Sequence, residues 1–190
     1  TYAGAPWIWY RTVRIAIFYG CRDYLDISSA SDPLYSQMNC LGYALNTTEH
    51  LLELSMTNDD LDNDCGSVED CLAYFRSRFE AWMDEYLLSA NWERVTNTGG
   101  INAPLGDNQW LVALRVGYYP GMDLNSDFYK DYHFWYRTST GEWVNKHGWS
   151  SCSQPLGDDL PTNDDSLGWM NGSMVGYYNS SVEYYRITGE

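Results

Sequence analysis

From Leu72 to Leu87 the apolar residues Leu72, Phe75, Phe79, Trp82, Met83, Tyr86 and Leu87 recur at steps of three and four. That spacing lines one face of an α-helix of about 20 residues. Ser67 and Asp70 ahead of it resemble a capping box, with Asp in place of the usual Glu or Gln. A stripe this aromatic is core rather than a ligand site, and it has to be buried against another apolar layer. Four downstream segments read as the strands of that layer: Trp110–Val116, Asp131–Arg137, Glu142–Asn145 and Val182–Ile187. Gly141 sits in the short connection between the middle two, which predicts a hairpin.

Upstream, Val13, Ile15, Ile17 and Tyr19 alternate with Thr12, Arg14, Ala16 and Phe18, so residues 7–19 read as a strand that Gly20 ends. Such a strand pairs within its own domain or is exchanged with a neighbouring copy. Residues 22–36 and most of 148–181 read as loops, and a short helix starts at Thr48 with Leu51, Leu52 and Leu54 on one side. Gly99-Gly100 breaks the long helical pattern. The order strand, helices, antiparallel sheet is that of an α+β fold. The chain has 190 residues with neither an internal repeat nor a linker, so residues 1–190 are expected to form one domain.

Charge narrows the partners. With 26 acidic and 11 basic residues the formal net charge is -15, which repels phosphate backbones and anionic lipid surfaces. Nucleic acid is therefore not an expected partner. No apolar run approaches the roughly 20 residues that span a bilayer, so no membrane span is expected. No secretory leader is read from Thr1 onward; an exported chain has already lost it.

Five cysteines, Cys21, Cys40, Cys65, Cys71 and Cys152, fit two disulfides and one leftover thiol in an oxidising compartment. Four cysteines allow three pairings, and the sequence does not choose among them. With Cys40 as the leftover thiol, Cys65–Cys71 and Cys21–Cys152 are the favoured pairs. Sequons at Asn46, Asn171 and Asn179 add modest support for an exported glycoprotein. Asp60, Asp62 and Asp64 alternate as at the start of a calcium loop, but Cys65 and Cys71 stand where that loop needs Gly and Glu. Neither a metal nor another cofactor is expected.

Cys40 is the residue with chemistry to offer. Asp32 and Pro33 are turn residues upstream, and Asn39 is a helix cap. A cysteine at the first turn of a helix has its thiolate favoured by the free N–H groups there. A thiol nucleophile also needs an imidazole to take its proton and a third group to orient that ring. Of His50, His133 and His147, His133 stands in a bulky strand, Lys130-Asp131-Tyr132-His133-Phe134-Trp135-Tyr136-Arg137. Asn145 follows across the hairpin turn, where its amide oxygen can accept from the ring.

Three segments together resemble a family of papain-like cysteine peptidase domains from bacteria. They are Asn39-Cys40-Leu41-Gly42-Tyr43-Ala44-Leu45, Asp131-Tyr132-His133-Phe134-Trp135-Tyr136-Arg137 and Gly141-Glu142-Trp143-Val144-Asn145-Lys146-His147-Gly148. Gly106 to Leu114 is similar to the strand that precedes the family's histidine. The resemblance covers residues 37–45 and 105–150 and implies a nucleophile helix packed on an antiparallel sheet. It implies Cys40 as nucleophile, His133 as general base and Asn145 as orienter, where these relatives usually carry His. The Cys40 backbone N–H, with Gln37 or Asn39, would then bind the oxyanion. The implied activity is that of an exported cysteine hydrolase, peptidase or amidase, acting on a peptide or protein. An alternative is a catalytically idle papain-like domain used as a glycosylated filament or surface subunit, joined through residues 7–19. A carbohydrate-binding module ranks below both, because most of the aromatic residues fall on core periodicities.

Overall fold

A computed structural model describes residues 39–45, 65–86, 90–119, 130–137, 141, 143–146, 152–153 and 178–189. Three helices are present among them: α1 (Cys40–Leu45), α2 (Val68–Tyr86) and α3 (Thr98–Asn102). The strands are β1 (Ala90–Val95), β2 (Gln109–Tyr118), β3 (Lys130–Arg137), β4 (Trp143–Lys146), β5 (Cys152–Ser153) and β6 (Glu183–Gly189). They form one sheet in the order β1-β6-β2-β3-β4-β5, and every neighbouring pair is antiparallel. The α+β class and the four expected strands around the hairpin are thus present. Residues 7–19, the helix from Thr48, and Cys21, Gln37, Asn46, His50, His147 and Asn171 lie outside the described residues.

Both helix starts follow from their caps. The Asn39 side-chain oxygen accepts the Gly42 N–H at 2.9 Å, which meets a backbone donor that α1 itself leaves open. At α2, Ser67 Oγ accepts the Asp70 N–H at 3.2 Å and donates to its carboxylate at 2.8 Å.

Two apolar layers lie on the two faces of the sheet. One face carries Val112, Leu114, Val116, Phe134, Tyr136, Val144, Tyr185 and Ile187 beneath α1 and α2. Phe79 of α2 is central there, with ring centroids 4.8 Å from Phe134 and 5.0 Å from Tyr185. Fully burying one such ring contributes about 1.5–3 kcal/mol. The other face carries Leu111, Ala113, Trp135, Trp143 and Tyr184 beneath Ile101 of α3 and Tyr178. Burial on both faces explains why Trp110–Leu114 reads as an unbroken apolar run rather than an alternating one.

Three elements differ from the sequence reading. Ala90–Val95 is a strand, at the edge of the sheet among the described residues and paired there with β6. Thr98–Asn102 is a short helix although it contains Gly99-Gly100, because Asn97 caps it by accepting the Gly100 N–H at 2.6 Å. Cys152–Ser153, within a stretch read as loop, pairs with Lys146 and Asn145.

Candidate active site

Cys40 and His133 stand at β3 on opposite faces of the sheet. Tyr132 lies directly opposite Val116. The Val116 N–H, however, donates to Ser180 Oγ at 2.9 Å, and its carbonyl accepts the Ser180 N–H at 3.0 Å. Opposed residues of an antiparallel pair exchange both backbone bonds or neither. The Tyr132 peptide groups therefore point away from β2, toward the β4 side. There, among the described residues, the β4 ladder pairs Trp135, Tyr136 and Arg137. Two side chains meet the Tyr132 peptide groups. The Asp131 carboxylate accepts the Tyr132 N–H at 2.8 Å, and the Cys40 Sγ lies 3.9 Å from the Tyr132 carbonyl oxygen as a weak donor. Helix α1 thus delivers a buried cysteine to β3 at Tyr132. Cys40 is a thiol, not half of a disulfide.

His133 is the next residue on the strand and points to the other face. Its ring is buried, stacks on Tyr178 at 5.0 Å and meets the Trp135 ring edge-on at 4.4 Å. Asn145 is also buried, and its Oδ1 lies 3.0 Å from His133 Nε2. The expectation set Asn145 across the hairpin beside the histidine; the register sets it opposite Trp135 and so diagonal to His133, on the same face. An amide oxygen only accepts, so Nε2 carries the proton in the neutral ring and Nδ1 is the basic nitrogen.

Asp131 is a feature that the sequence reading passed over. Its second oxygen accepts the Tyr178 hydroxyl at 3.1 Å. Burial raises its pKa to about 7, against the opposing effect of the bonds from Tyr132 and Tyr178. Burial also raises the Tyr132 phenol, with the charges of Cys40 and Asp131 adding to the shift, so that hydroxyl stays neutral. The available signal was an acid two residues before a histidine, in a strand whose other charges, Lys130 and Arg137, stand at its ends. Tyr178 left no signal, since it stands among Gly, Ser and Asn residues without periodicity.

The other candidates divide as follows. Asn39 spends its side-chain oxygen on the α1 cap, which leaves its amide N–H groups for an oxyanion. Cys65 and Cys71 are disulfide-bonded, with Cα atoms 4.9 Å apart. Cys152 stands in β5, and its proposed partner Cys21 is outside the described residues. Asn179 does structural work: it accepts the Tyr118 N–H and donates to the Tyr118 carbonyl, both at 3.1 Å. Among the described residues no group of His, Cys, Asp and Glu side chains is gathered to hold a metal ion, and no helix is long and apolar enough to cross a membrane. No family model, curated protein or solved structure matches the chain.

Proposed function

We propose that this protein is a papain-like cysteine hydrolase, a peptidase or amidase, with Cys40 as nucleophile, His133 as general base and Asn145 as orienter. The carrying observation is the 3.0 Å contact of Asn145 with His133 Nε2 one residue along the strand from the carbonyl that the Cys40 thiol touches. Asn145 holds the tautomer that leaves Nδ1 open, and taking the thiol proton requires the His133 ring and Cys40, which belong to opposite faces of the sheet, to meet around the edge of β3. The Cys40 thiolate attacks the amide carbonyl carbon, a C–S bond forms, and the negative charge moves to the carbonyl oxygen. Backbone N–H groups, with Cys40 N–H first among them, stabilise that oxyanion together with Gln37 or Asn39. The imidazolium of His133 protonates the leaving amine as the C–N bond breaks, and water then hydrolyses the thioester.

Export is part of the proposal, and the Cys65–Cys71 disulfide supports it. The filament-subunit alternative rests on residues 7–19, outside the described residues. Iodoacetamide labelling separates the two. Cys40 is expected to react faster in the folded chain than in urea, and His133→Ala is expected to remove that advantage. A folded Cys40 that reacts no faster, with no response to His133→Ala, leaves the scaffold reading in possession.

A further inference from the structure

Asp131 accepts from two donors beside the candidate residues. One of its oxygens accepts the Tyr132 N–H, from the residue whose carbonyl meets the Cys40 thiol. The other accepts the hydroxyl of Tyr178, whose ring stacks on His133. The residue opposite Asp131 on β2 is Gly117, so no side chain stands directly across from the carboxylate. We infer that Asp131 is a positioning residue for the Cys40–His133 pair, latching the Tyr178 ring against the imidazole and fixing the Tyr132 peptide that receives the thiol. The inference rests on the cysteine-hydrolase reading.

The chemistry of the latch is directional. The Tyr132 N–H and the Tyr178 hydroxyl both donate, so Asp131 serves them fully only with two accepting oxygens. An amide in its place keeps one accepting oxygen and turns the other position into a donor. The ionisable or charged groups around it, among the described residues, include Lys130, Tyr132 and His133 on its own strand, Cys40 of α1, Tyr178 before β6, and Arg115, which lies opposite His133 on β2.

The test uses the full chain and two readouts. The first is the ring NMR signals of His133, assigned by their loss in His133→Ala. The second is the rate of Cys40 alkylation by iodoacetamide as a function of pH. Asp131→Asn and Tyr178→Phe break the same bond from its two ends. Both are expected to shift the His133 ring signals and to slow alkylation about fivefold, the effect of one hydrogen bond. The double variant is expected to be no slower than either single one. A step near neutral pH in the alkylation profile is expected to vanish in Asp131→Asn and to persist, displaced upward, in Tyr178→Phe. Should Asp131→Asn fail to fold, Tyr178→Phe carries the test, since it removes only a hydroxyl. A Cys40 activated by His133, with ring signals and pH profile unchanged by both substitutions, overturns the role of Asp131 alone. A Cys40 indifferent to His133→Ala overturns the hydrolase reading and takes this role with it.

Discussion

A buried imidazole keeps its tautomer only as long as something holds the proton on the intended nitrogen. Asn145 does this for His133 from 3.0 Å. Asn145→Ala leaves a buried N–H without that acceptor, which costs about 1–3 kcal/mol of stability. It also lets the proton move to Nδ1, the nitrogen that has to stay open. Urea unfolding is expected to show the loss, and Cys40 alkylation is expected to slow well beyond what the lost stability explains. An unchanged alkylation rate in a folded Asn145→Ala variant would mean that the amide only fills space. The contact of His133 with Asn145 was legible because both stand in short motifs on two strands read as one hairpin. The contact of Asp131 with Tyr178 was not, because the two lie 47 residues apart and no local pattern encodes their approach.

At the scale of elements, the sequence speaks clearly where burial imposes a period and faintly where it does not. Helix α2 and strands β2, β3 and β6 each present apolar side chains to a core layer, so their positions were readable. Strand β1 is an edge strand among the described residues, with Asn91, Glu93 and Arg94 exposed, and a polar edge resembles a loop. Helix α3 is held by its cap and by close packing, against the poor helix propensity of Gly99-Gly100. The two glycines are separable by experiment. A Cβ added at Gly100 would come within 2.6 Å of Val95 Cγ1, whereas one at Gly99 meets only the Asn97 Oδ1 at 3.4 Å. Val95 is buried and short, so it has little room to yield. Gly100→Ala is therefore expected to cost about 1–3 kcal/mol by overpacking, while Gly99→Ala is expected to be neutral or to stabilise by up to about 1 kcal/mol. Thermal unfolding of the two variants side by side checks this, and a stabilised Gly100→Ala would show that α3 sits off the sheet.

The whole molecule carries a net charge of -15, and it places one carboxylate where ionisation is resisted. Both make stability depend on pH, and they can be told apart. The folded chain keeps a proton on Asp131 up to about 7, chiefly through burial, against an ordinary value of 3.8. Between those two values the folded state binds more protons than the unfolded one, so this contribution is complete below the lower value and is lost as pH rises through the upper one. Repulsion among the surface acids acts in the same direction, because it grows as they ionise. Salt screens exposed charges within a Debye length of about 8–10 Å near physiological ionic strength but reaches buried groups far less. Urea unfolding between about pH 5 and 8 is therefore expected to show stability falling with pH, and Asp131→Asn is expected to flatten the curve. Added salt is expected to raise both proteins near neutral pH while the difference in their slopes survives. A slope that salt abolishes equally in both would assign the whole effect to the acidic surface, and a slope unchanged by Asp131→Asn would mean that water reaches the carboxylate.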